Sequence, residues 1–99
     1  EPLIYWEVNP AVSEIKFVKE GDNSGEFVLS SLGYDTIQRP NSQHLLHYKF
    51  DSNKNKAELI RKINVSERVR DIVYDKKYKR IYYVGESTGV IGFITLKPE

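Results

Sequence analysis

The chain has 99 residues, 39% hydrophobic and 29% charged, and its fifteen cationic and fourteen acidic side chains leave a net charge of +1. That is one small domain with a lean core, and the interspersed, nearly cancelling charges argue against nucleic-acid binding through a basic field. With no cysteine there is no disulfide framework, thiol metal site or thiol nucleophile, and no stretch has the apolar length of a membrane span.

In chain order, period-two patterns bounded by turn signals predict strands at 3–8 (LIYWEV), 13–20 (SEIKFVKE), 25–32 (GEFVLSSL), 43–51 (QHLLHYKFD) and 57–63 (AELIRKI). Three more follow at 69–75 (VRDIVYD), 80–87 (RIYYVGES) and 89–97 (GVIGFITLK). Turn-forming clusters, GDNSG, RPNS, DSNKNK, DKKYK and STG, separate them. The first residues, EPLIYWEVNP, lack the basic start and apolar run of a signal peptide, although a mature chain without its leader would read the same. Asn64-Val65-Ser66 is a glycosylation triplet, informative only in a eukaryotic secretory setting.

The order of strands repeats. EIKFVKEGDNSGEFVLSSL…HLLHYKFD and DIVYDKKYKRIYYVGES…VIGFITLK share one plan: an exposed strand, a turn, an apolar strand, and an alternating third strand. Ile72 lies 57 residues after Ile15 (72 − 15) and Phe93 lies 47 after Leu46 (93 − 46), the difference falling in the loop after the second strand. A unit of about 50 residues with four antiparallel strands is the signature of a β-propeller blade. The expected fold is therefore all-β: residues 1–8 an outer strand of a preceding blade, 13–63 one blade, and 69–97 three strands of the next.

Fewer than about four blades do not close a propeller. The remaining blades are expected from the same polypeptide or from a companion chain; a different small β-structure is the alternative. A blade face built from Phe27, Leu29, Ile81, Tyr83 and Ile91 would otherwise be a large exposed apolar patch.

SERVRDIVYD, at 66–75, sets Arg68 and Arg70 on one side of a strand, with Val69 and Asp71 on the other. At roughly 7 Å, two like charges repel by about 0.6 kcal/mol in water and about 2 kcal/mol at an effective dielectric near 20. The pair reads either as solvated gatekeepers at a sheet edge or as a fork for a carboxylate or phosphate.

ERVRDIVYDKKYKRIYYVGES followed by GVIGFITL resembles the C-terminal blade of the soluble quinoprotein glucose and sorbosone dehydrogenases, and EPLIYW, PAVSEIKFV, GEFVLSSLG and HLLHYKF follow the order of that family's penultimate blade. The resemblance implies a six-bladed propeller, of which this chain would form about two blades. It also implies pyrroloquinoline quinone (PQQ) as cofactor, Arg68 and Arg70 as its ligands, calcium held by blades outside this chain, and a periplasmic or extracellular location. The activity implied is oxidation of a sugar or other alcohol carbon, the histidine base lying on an earlier blade. The family commonly carries a quinone-contacting lysine just after the SL that ends its strand; here Gly33, Tyr34 and Asp35 follow. That departure favours the alternative, a non-catalytic propeller module that binds a protein or carbohydrate, its arginines tied to acidic side chains on a neighbouring blade.

His44 and His47, three apart, should point to opposite faces of a strand and so cannot grip one metal. DSNKNKAE lacks the central glycine and closing glutamate of a calcium loop. Tyr5 and Trp6 should face opposite ways, one as core and one as rim. Tyr74, Tyr78, Tyr82 and Tyr83 among Lys76, Lys77 and Lys79 read as two strands and a soluble hairpin turn.

Overall fold

The computed structural model describes Ile4 and residues 12–18, 25–31, 43–51, 53–86 and 88–96. Within them the chain is all-β. Strands β1 (Val12–Phe17), β2 (Glu26–Ser31), β3 (His44–Asp51) and β4 (Lys56–Asn64) form one antiparallel meander. Strands β5 (Val69–Asp75), β6 (Arg80–Gly85) and β7 (Ile91–Thr95) form a second. Each strand predicted between 13 and 97 is present, and β5 has the bounds its alternation gives. Apart from Ile4, the predicted strand at 3–8, with Tyr5 and Trp6, lies outside the described residues, as do Gly33 and the rest of the 33–42 loop.

A three- or four-stranded sheet needs a partner for its apolar face. Here each sheet supplies it to the other. Val18, Val28 and Leu45 of the first sheet pack with Val69, Ile72, Ile81 and Leu96 of the second, all 2% exposed or less. The opposite face of the first sheet holds Phe27, Leu29, Leu46 and Tyr48, with Ile4 packed on it; the Phe27 and Tyr48 rings stack across β2 and β3 at 5.5 Å.

The two sheets share a frame down to its irregularities. Both first strands bulge at the same place, between Val12 and Glu14 in β1 and between Val69 and Asp71 in β5. Left-handed residues recur at matching turns: Gly25 (φ 90°) and Lys79 (φ 55°) precede the second strands, and Gln43 (φ 61°) and Gly89 (φ 73°) the third. The Phe50 amide donates to the Gly25 carbonyl at 2.9 Å, as the Leu96 amide does to that of Lys79 at 2.8 Å.

Register corrects two expectations. Leu29 pairs with Leu46 where Tyr83 pairs with Gly92, so the counterpart of Leu46 is Gly92, and Phe93 matches His47. A one-residue slip changes the face of every side chain. Phe27, Leu29 and Ile81, expected on an open face if the blade were unpaired, are buried in the two apolar clusters, and of the five residues named there only Ile91, which its pairing with Val84 puts on the other face, lies open, at 71% exposure. The face left uncovered is the far side of the second sheet, with Val73, Val84, Ile91 and Phe93 exposed and Tyr82 half-buried beside them. Gly92 is required by its partner: a Cβ there would stand 2.5 Å from the Tyr83 ring, which fills the space its own side chain lacks.

Two isoleucines of the second sheet measure the difference between its faces. Ile72→Ala should lose about 2–5 kcal/mol in urea unfolding, because it opens a cavity between the sheets. Ile91→Ala, on the uncovered face, should stay within about 0.5 kcal/mol of the parent.

Candidate functional site: the arginine corner and the inter-sheet ladder

Arg68 precedes β5 and Arg70 is the extra residue of its bulge. The bulge undoes simple alternation: Val69 turns into the core, Arg70 and Asp71 are both exposed, and Ile72 is buried again. Val69 and Asp71 therefore do not share a face. The Asp71 carboxylate accepts from the Ile72 amide at 2.9 Å, a local cap on the bulge.

The two guanidinium groups do come together, and the anion between them is Glu86. Its Oε1 is 3.1 Å from Arg68 Nη1, and its Oε2 accepts a hydrogen bond from Arg70 Nη2. Glu86 is fixed by backbone as well, since its amide donates to the Arg68 carbonyl at 2.8 Å. Beside it, Glu67 Oε2 accepts from the Thr88 hydroxyl at 2.8 Å while the rest of the Glu67 side chain lies across Gly85, where a Cβ would come within 2.6 Å of Oε1. Two cations and two carboxylates thus share one end of the second sheet. The Arg70 hydrogen bond, seconded by the charge of Arg68, holds the Glu86 carboxyl below its ordinary value against a smaller opposing effect of desolvation. As arranged, these residues do not fit a free fork for an acidic quinone: a ligand carboxylate would have to displace Glu86, whose Oε1 is shielded from solvent.

A second polar cluster, not visible from sequence spacing, crosses the inter-sheet side of the first sheet. His47, 1% exposed, sits 2.6 Å through Nε2 from Glu26 Oε1, and its Nδ1 accepts from Arg61 Nε at 3.1 Å. The Arg61 guanidinium continues to the Thr95 carbonyl on β7. With Nδ1 occupied as acceptor, the proton of a neutral ring belongs on Nε2, facing Glu26. Burial lowers the His47 pKa, outweighing the hydrogen bond and charge of Glu26, which raise it; the charge of Arg61 lowers it further. Nearer the first strands, Ser13 donates to the Val69 carbonyl at 2.7 Å, which leaves Ser30 as the donor in the 2.8 Å contact between the two hydroxyls.

The histidines face opposite ways on β3: His47 lies beside Leu45 in the inter-sheet core, and His44 shares the parity of Leu46. The tyrosines divide as well. Tyr74 and Tyr83 pack against the inter-sheet core, Tyr82 meets Phe93 at 5.8 Å, and Tyr78 stands in the turn beneath Lys77 and Arg80.

Comparison with protein-family models, with curated proteins and with solved structures returned no match.

Two pH effects follow, each with its sign. The folded-state pKa of Glu86 is depressed, so its contribution is present above the ordinary value of 4.5 and fades as pH falls through that value and on through the folded pKa. Glu86→Gln should lower the melting temperature at pH 7 and low salt, and flatten the acid limb of the melting profile. For His47, also depressed, the unfolded chain takes up a proton first as pH falls below 6.5, so stability present above that pH is lost on the way down. His47→Gln should remove the part of the slope between pH 7 and 5 that wild type shows in thermal melts.

Proposed function

We propose that this chain is a non-catalytic β-sheet module of a propeller-type assembly, which binds a protein surface of complementary sheet rather than a redox cofactor. One observation carries the reading: Arg68 and Arg70 close on Glu86, a carboxylate of their own sheet. The like charges of the RVRD segment are thereby matched internally, and the corner braces the β5 bulge against the turn after β6. The shared frame of the two sheets, and the return from β4 to a first strand packed beside β1, are consistent with successive propeller blades.

The convergence of the two guanidinium groups is also what a quinone site would need, so PQQ itself is the decisive probe. In the quinoprotein reading PQQ would supply hydride acceptance, and Arg68 and Arg70 would do no more than bind and orient its carboxylates. Titrating the complete assembly with PQQ in excess calcium, followed by quinone absorbance, should give no saturable change. Arg70→Ala should lower thermal stability and leave the quinone absorbance unchanged. Saturable binding that Arg68→Ala and Arg70→Ala abolish would replace the module by the sugar dehydrogenase reading.

A further inference from the structure

The interface between the two sheets joins two kinds of face. The first sheet offers its outward face, with Val28 and Leu45, and the second offers its inward face, with Ile72, Tyr74 and Ile81. The molecule also leaves one face of each kind incompletely covered. Matching registers make Val73, Tyr82, Val84, Ile91 and Phe93 on the second sheet the counterparts of Lys16, Val28, Ser30, Leu45 and His47 on the first. Of those first-sheet positions, Val28 and Leu45 pack against the neighbouring sheet and Ser30 and His47 are buried, while Lys16 pairs with Glu14 at the margin; on the second sheet Ile91 and Val73 face solvent, 71% and 56% exposed.

The complementary face lies on the other side of the first sheet. Ile15 and Phe17 are the counterparts of Ile72 and Tyr74, which seat on the inter-sheet core, yet they are 44% and 51% exposed. Ile4 packs on the Phe27, Leu29, Leu46 and Tyr48 cluster of that side, and Phe17 edges it with its ring 5.1 Å from that of Phe27. It is at the first strands that the two sheets of one molecule approach each other most closely. The bulge adds a polar match: Ser13, on the bulge of β1, reaches across to the neighbouring sheet at the Val69 carbonyl, and its counterpart on the bulge of β5 is Arg70.

We propose that copies of this chain associate head to tail, Ile15 and Phe17 of one copy seating on the Val73–Tyr82–Phe93 row of another, so that the interface between copies continues the one within the chain. The proposal rests on the reading of the chain as an incomplete stack of sheets. A two-fold pairing of outer faces fits poorly. An axis along β6 sets Arg80 against Arg80, and an axis across the strands sets Asp71 against Asp75, placing like charges face to face. A head-to-tail contact is heterologous, so it propagates to a ring or an open chain according to its rotation.

Sedimentation of the full chain over a range of concentrations tests this with two variants that block opposite faces, Phe93→Lys and Phe17→Lys. Wild type should associate beyond the monomer, and each variant alone should sediment as a monomer at concentrations at least tenfold above the wild-type midpoint. An equal mixture of the two variants should form a dimer and nothing larger, because each supplies the face the other lacks. Far-UV circular dichroism checks their folding, and Ile91→Lys with Ile15→Lys provides a second pair at more tolerant positions. A monomeric wild type overturns the proposal, as does a mixture that stays monomeric, or association that Phe93→Lys abolishes and Phe17→Lys leaves intact. PQQ binding is read separately, so a monomer that takes up no quinone removes this interface and leaves the non-catalytic reading standing.

Discussion

The structure depends on one constraint: neither sheet can exist without the other. Three or four short strands expose an apolar face that must be covered, and the seam holding Val28, Leu45, Ile72 and Ile81 is where this happens. Burial at the seam explains why polar groups such as Ser30 and His47 come with partners. Ser30 to Ser13 to the Val69 carbonyl ties the first strands. Glu26 to His47 to Arg61 to the Thr95 carbonyl ties the outer ones. A buried histidine is tolerable because both ring nitrogens have partners; the same arrangement makes its protonation unwelcome.

The arginine corner obeys the same economy in a wetter place. Arg68 and Arg70 would repel one another on an isolated strand, and the fold removes that repulsion by turning the chain after β6 so that Glu86 arrives between them. Since Arg70 occupies the bulge, its direction follows from the extra residue in β5 rather than from strand alternation. Acidic and basic groups that cancel locally do little to attract a distant anion, which is why the corner reads as a brace.

Much of the architecture was legible in the residues. Alternation found the seven strands, and the similarity between IYYVGES and FVLSSL exposed the duplication. What escaped was parity. A bulge leaves no mark in VRDIVYD, so alternation groups Asp71 with Val69, whereas the bulge parts them. Similarity alone aligns Leu46 with Phe93, one position off the true counterpart Gly92, and so sets Ile91 on the face of Ile81 and Tyr83 when it belongs beside Val84 and Phe93. Alternation sets arginines 68 and 70 on one side, an outcome the structure reaches through the bulge instead; that Glu86 would join them was not readable, because sixteen residues and a hairpin separate it from Arg70. The His47 ladder was hidden for the same reason: its members sit on four strands and no local spacing links them.

The cross-strand pair of Tyr83 and Gly92 fills the volume that the paired leucines 29 and 46 fill in the sister sheet. Two partitions of one volume, medium with medium and large with none, satisfy one backbone. Each position is therefore only half of a hereditary unit: a descendant that gained a side chain at 92 would have to surrender the ring at 83 in step. Compensated exchange between these two columns, in either sheet, is the mark that duplicated ancestry would leave on the lineage.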